Sequence, residues 1–391
     1  MSHEKKVLII AGEPSGEVLG AELMHALRKQ CPRPIVFSGV GGVRMKQQGL
    51  YPLFPMSDIA LMGVAEIAPR LPNIFKRMNM TARFVEQNQP DFVVLIDSPE
   101  FNLRLAKRIK RRCPNVPIAL YVAPQVWASR PGRARKMSKF VDHIFALLPF
   151  EKPFFEAAGI PCTIVGHPVI ERKKQIKGGD AFRARHEISS SAPIICLLPG
   201  SRLNEVTRLM PIFGEVAYRL REIYSDTQFV LPVVPHMTDI VAQQLETWRL
   251  QPHIVTGDAD KFAAFDASTI AVAASGTVSL ELALARVPTV IAYRVDPLTA
   301  FVARRIITSK YVNLVNLIVD APAIPELLQE DCTADAVFTQ ADALLSSEEA
   351  RQKQLAAMDE AMAGLGLGRD APSIRAADAM LAAFIEKGAS H

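Results

Sequence analysis

Short apolar runs recur along the chain, each bounded by turn residues and separated by stretches of helical period. In the first half they read KVLIIAG, PIVFSGV, DFVVLID, PIALYVA, HIFALLP and CTIVG. The polar stretch 172–193 follows, and the pattern restarts with IICLLPG, QFVLPVV, HIVTG, TIAVAAS and PTVIAY. Uninterrupted apolar runs, rather than alternating ones, are those of strands covered on both faces, and strands alternating with helices imply parallel sheets with right-handed crossovers. The pattern therefore predicts two doubly wound, Rossmann-like α/β domains, over 1–170 and 171–345, with a helical segment over 346–391 rich in good helix formers. In such folds the chemistry lies on loops beyond the carboxyl ends of the strands, so the two sets of loops are expected to face a common cleft.

A chain of 391 residues, 49% hydrophobic and 22% charged, is in the range of a soluble two-domain protein. No apolar run reaches the roughly 18 residues that span a bilayer, and the opening MSHEKK lacks a signal-peptide core. Five scattered cysteines without a C-x-x-C pair argue against a disulfide framework or zinc site and for a reducing cytoplasm. The net charge of +5 divides unevenly, with +10 on residues 1–170 and −5 on 171–391. A basic first half suggests an anionic partner there. The clusters RLAKRIKRR (104–112) and RPGRARK (130–136) lack the stacking aromatics of a single-strand binder, so nucleic acid is not the expected partner. A solvated helix face explains each cluster taken alone. An anionic membrane surface fits better beside residues 51–84, where Met, Leu, Ile and Phe are mixed with Arg70, Lys76, Arg77 and Arg83, although core packing accounts for the same composition.

Two glycine loops differ in charge. GEPSGEVLG (12–20) follows the first strand with G-x-x-x-G spacing, carries Glu13 and Glu17, and loses an amide donor to Pro14, which disfavours a dinucleotide. Gly16 and Gly20 let a neighbouring helix or ligand approach closely, and Glu13, Ser15 and Gly16 are the expected contacts of a hydroxyl-bearing acceptor; a helix capped by Ser15 with nothing bound is the alternative. In the second half, Gly200, Ser201 and Arg202 lie between a strand and a helix, where free amides and a guanidinium make an anion site. Ser275, Gly276 and Thr277 begin another helix, with Glu281 one turn inside and suited to a ribose diol. Phosphate thus belongs to the second domain and the acceptor to the first.

Asp97, at the carboxyl end of a strand in DFVVLIDSPEFN, is a candidate general base, with helix capping by Asp97 or Asn102 the structural alternative. The D-x-D of GDAD (257–260) reads as a surface turn, and no histidine cluster supports a metal.

Taken together, GEPSGE, LMGVAEI, DSPEFN, YVAPQVWA, LPFEK, GHPV, LLPGSR, SGT followed by LE, and YVNLVNLI, in this order over residues 12–318, resemble the lipid-A-disaccharide synthases, inverting glycosyltransferases of lipopolysaccharide assembly. The resemblance implies a GT-B-type architecture without a metal or other cofactor, working peripherally on the cytoplasmic side of the inner membrane. It implies transfer from UDP-2,3-diacylglucosamine to 2,3-diacylglucosamine 1-phosphate, giving the β-1,6-linked disaccharide 1-phosphate and UDP. Asp97 is then the base, Arg202, Glu281 and Asn316 are UDP-site residues, Glu13 and Ser15 line the acceptor side, and 51–84 faces lipid. The chain departs from the family where a second tryptophan is often found, reading Trp127-Ala128-Ser129. A UDP-sugar epimerase of the same fold, or a non-catalytic UDP-sugar sensor at the membrane, are the competing readings. Acyl-chain preference and oligomeric state, a homo-oligomer included, stay open.

Overall fold

Two parallel sheets organise the chain in a computed structural model that describes residues 4–59, 67–126, 132–307 and 309–386. Most of LMGVAEI, and the Trp127–Ser129 departure, lie outside the described residues. The first sheet holds β1 (Lys5–Ala11), β2 (Ile35–Val40), β3 (Leu50–Pro52), β4 (Phe92–Ile96), β5 (Ile118–Tyr121), β6 (His143–Ala146) and β7 (Cys162–Ile164), in the order β3-β2-β1-β4-β5-β6-β7. The second holds β8 (Ile194–Leu198), β9 (Gln228–Val233), β10 (His253–Thr256), β11 (Ile270–Ala273), β12 (Thr289–Tyr293) and β13 (Glu326–Leu328), in the order β10-β9-β8-β11-β12-β13. Each sheet reverses its winding once, between β1 and β4 and between β8 and β11. These reversals are the switch points at which doubly wound folds bind ligands.

The central strands are apolar throughout because helices cover both of their faces: every residue of β4 and of β8 is buried. Each fully buried Leu, Ile or Phe contributes roughly 1.5–3 kcal/mol, so these runs alone anchor each unit. The edge strands β3 and β13 were not expected from the sequence. Three residues each, they are too short to show a period.

The chain divides into Met1–Pro168 with Gly368–His391, and Val169–Leu367. The separate segment expected over 346–391 is thereby corrected. The helix Glu348–Gly364 packs on the helix Val278–Ala285 of the second unit, whereas the helix Pro372–Leu381 lies on Pro14–Gln30 of the first. There the Phe384 ring stacks on Phe92 at 5.3 Å, and Arg375 donates to the Ile164 carbonyl at 3.2 Å. Good helix formers predicted the helices, but their buried faces decide which unit each one joins.

Candidate functional site

In the first unit, β1 and β4 pair with Ala11 opposite Ile96, which brings the loops after them side by side. A Cβ on Gly12 would stand 2.6 Å from the Ser98 hydroxyl, so only glycine lets the two loops approach. Ser98 donates to Glu13 Oε1 at 3.1 Å, and Ser15 donates to Asp97 Oδ2 at 3.5 Å. Glu13 and Ser15 are exposed and Asp97 half-buried. The two serine hydroxyls thus interleave with the two carboxylates in one cluster.

Asp97 and Ser98 both adopt the left-handed conformation, at φ 51° and 41°, at a cost of roughly 1–3 kcal/mol each. They are held there by Asn102, which is fully buried and donates Nδ2 to the Ile96 carbonyl at 3.0 Å and the Asp97 carbonyl at 2.7 Å. The Asp97 amide completes the clasp on the Tyr121 carbonyl at 3.0 Å. Neither Asp97 nor Asn102 caps the next helix: the N-cap of Pro99–Arg112 is Ser98, without a side-chain cap bond.

Several assignments change here. Ser15 is no cap, since it lies within the first turn of Pro14–Gln30, whose N-cap is Glu13. Gly16 is buried, and a Cβ there would meet Ile96 and Ala11 in ordinary contact, so that side of the residue faces the sheet. Glu17 accepts from the Arg44 amide at 2.7 Å, which accounts structurally for one of the two acidic residues of the loop.

In the second unit, β8 pairs β11 with Leu198 opposite Ala273. A cavity of about 440 Å³ opens at the carboxyl ends of β8 to β11, lined by Gly200, Ser201, Arg202, Ser275, Gly276, Thr277 and Glu281 among others. The expected residues therefore converge, with one exception. Asn316 is buried elsewhere, with Nδ2 on the Ile324 carbonyl at 2.8 Å and Glu326 Oε1 at 2.7 Å, and Oδ1 accepting from the Ile324 amide at 2.8 Å. It braces the 313–326 loop and does not line the cavity.

The first anion loop is also corrected. Glu205, buried one turn into the helix Leu203–Ile223, accepts from the Ser201 amide at 3.1 Å and the Arg202 amide at 3.3 Å. Its other oxygen pairs with the Arg202 guanidinium at 2.8 Å and raises the Arg202 pKa further. Those amides are spent, but the largely exposed Arg202 side chain retains donors for a ligand. The open helix start is the other one: the Ser279 and Leu280 amides bond Gly276 and Thr277, which leaves the amides of 275–278 without intrahelical partners.

Two contributors, Arg172 and Lys261, were missed in the sequence. Glu281 is paired with Arg172 and, at 3.1 Å, with Lys261, which also meets Asp258 at 3.1 Å. Asp258 and Asp260 begin the helix Asp258–Ala267, and Asp260 turns away to Arg185 at 2.7 Å. No residue spacing announces Lys261 or Arg172, since they come from the helix after β10 and the segment after β7.

Much of 51–84 is core. Ile74, Met78 and Ala82 are buried with Phe54 and Ile59, and Arg77 pairs with Asp58 at 2.6 Å while stacking on Phe54. Phe75, Lys76 and Arg83 remain exposed, with Arg108 stacked over the Phe75 ring at 5.7 Å.

Comparison with known proteins agrees with the motifs. The chain matches the lipid-A-disaccharide synthetase family over residues 7–376. Lipid-A-disaccharide synthase of Rhodospirillum centenum is 52% identical over 375 residues, covering 96% of this chain and 94% of its own. That of Rhodopseudomonas palustris strain HaA2 is 43% identical, covering 96% of both. Among solved structures, UDP-GlcNAc 2-epimerase from Neisseria meningitidis bound to UDP-GlcNAc has a TM-score of 0.61 at 14% identity, over 98% of this chain and 100% of that one. A glycosyltransferase from Rickettsia africae has the same score and identity, over 98% and 99%. Likeness at this identity establishes the two-sheet GT-B-like fold, which epimerases and glycosyltransferases share. Identity at 40–52% along nearly the whole chain separates them: the chain belongs to the lipid-A-disaccharide synthase family, glycosyltransferases that form the lipid A disaccharide.

Proposed function

We propose that the second unit binds UDP-2,3-diacylglucosamine and the first binds 2,3-diacylglucosamine 1-phosphate, and that Asp97 is the general base joining them. The observation that carries this is the Asp97–Ser15 and Ser98–Glu13 cluster at the β1/β4 switch point, a pair of carboxylates interleaved with hydroxyls that suits a hydroxyl-bearing acceptor. Asp97 takes the proton from the acceptor 6-hydroxyl as that oxygen attacks the donor anomeric carbon. The new C–O bond forms opposite the breaking bond to the diphosphate, which inverts the centre, and UDP departs with the electron pair. Arg202 and the open amides of 275–278 stabilise the diphosphate charge. Glu281, held by Arg172 and Lys261, accepts from the ribose.

The exposed Phe75, with Lys76, Arg83, Arg104, Lys107 and Arg111, supports peripheral contact with an anionic inner-membrane surface. Among the described residues no helix is long and apolar enough to cross a membrane. The test is turnover in detergent with both acylated substrates, with and without EDTA. Equal release of UDP and disaccharide, insensitive to EDTA, is expected. UDP release without disaccharide, or no turnover at all, would return the epimerase or sensor reading.

A further inference from the structure

The region beside Asp97 has a second end that Glu13 and Ser15 leave unused. A cavity of about 260 Å³ is lined by Asp97, Pro99, the turn from Val122 to Val126, and Arg133. This is smaller than the roughly 300–1,000 Å³ typical of drug-sized ligands, and suits one sugar headgroup with its acyl chains outside.

Two features of its lining stand out. Val122 stands at φ 73°, a conformation that a β-branched residue avoids, with its amide bonded to the Phe145 carbonyl at 3.1 Å. Such strain persists where surrounding structure holds it, and it clusters at ligand clamps. Arg133, 23% exposed, donates one Nη2 to Glu100 Oε1 at 2.9 Å. The same carboxylate meets Arg104 at 3.6 Å. Two guanidinium groups share one carboxylate, so the group is net positive, and most of the five Arg133 donors remain for a ligand. The Val122–Val126 stretch of YVAPQV and Arg133 of the basic cluster have no part in the donor site, yet both line this cavity.

We infer that Arg133, with the Val122–Val126 turn, takes the 1-phosphate of the acceptor while Asp97 takes its 6-hydroxyl. The inference rests on the acceptor assignment above. In a glucosamine 1-phosphate the ring carbons that carry these two groups, C1 and C5, flank the ring oxygen, so a carboxylate and a guanidinium that line one small cavity read both at once. Arg133 is thereby a specificity residue: it selects the phosphorylated acceptor and fixes which hydroxyl meets the base.

The experiment compares wild type, Arg133→Ala and Arg133→Lys on the phosphorylated acceptor and on the same lipid lacking the phosphate, with UDP affinity measured alongside. Arg133→Ala should raise KM for the phosphorylated acceptor roughly 10- to 100-fold, the worth of one charged hydrogen-bonding group, with little change for the unphosphorylated one and unchanged UDP affinity. Arg133→Lys should recover part of the loss. A KM raised equally for both acceptors would overturn the inference and make Arg133 structural, and so would an unchanged KM for the phosphorylated one. Wild type that used neither acceptor would instead overturn the transferase assignment, and the inference with it.

Discussion

Asn102 offers the sharpest test of how the fold builds its base. Its Nδ2 bonds two carbonyls at the end of β4, whereas its own Oδ1 is buried without a partner. The orientation follows from those carbonyls, since the flipped amide would set oxygen against oxygen. In Asn102→Ala the Ile96 and Asp97 carbonyls lose their donor, at roughly 1–3 kcal/mol each, and removal of the unpaired Oδ1 returns a similar single amount. The net loss is roughly 1–3 kcal/mol, or roughly 2–12 °C in Tm for units of this size. Asn102→Leu, close in volume, should lose nearly as much, because the polar loss rather than the cavity dominates. Released from its left-handed clasp, Asp97 need shift only about 1 Å to cost roughly 100-fold in turnover. Thermal melts and single-turnover kinetics on both variants read the two effects. Melting within about 1 °C of wild type, with turnover intact, would refute the clasp.

Other expectations follow from the same geometry. Lys261→Met leaves Glu281 with Arg172 alone and should weaken UDP binding roughly tenfold, and calorimetry showing unchanged affinity would remove Lys261 from the donor site. All five cysteines are buried and free, with burial pushing the Cys162 thiol up to about 12 and the Cys196 thiol higher than an ordinary thiol. A thiol-disulfide reagent at pH 8 should therefore titrate the native protein slowly and all five thiols only after unfolding; rapid reaction of the folded chain would contradict this packing. Burial, then the neighbouring His186, lowers the His253 pKa, so the unfolded chain binds its proton more readily. The His253 contribution is present above the ordinary histidine value of 6.5 and is lost as pH falls through the folded value. Melting curves from pH 7.5 to 5.5 should show a steeper decline for wild type than for His253→Gln, and parallel curves would refute it.

Much of this was legible in the chain because parallel strands announce themselves as apolar runs and their carboxyl-end loops carry the chemistry. The loops holding Glu13, Asp97, Arg202 and Ser275 could be placed without coordinates, since each follows such a run. What pairs with what could not. Glu205 takes the amides that Gly200–Arg202 leaves to an anion in the sequence reading, and only the fold of one helical turn shows it. Asn316 lies in a family motif, but its side chain is consumed by Ile324 and Glu326, contacts invisible to spacing. Arg172, Lys261 and Glu281 come from three separate segments and meet only because the helices after β10 and β11 pack together with Arg172 beside them. The terminal helix Pro372–Leu381 joins the first unit for a similar reason, since the surface it covers is supplied by residues far back in the chain.

The central claim is that Asp97 is the base of an inverting transfer, and Asp97→Asn tests it most directly. The substitution keeps the size and the backbone of the clasp while removing the proton acceptor. Turnover of the two acylated substrates should fall roughly 10²–10⁴-fold with UDP affinity retained. Near-normal turnover would contradict the assignment.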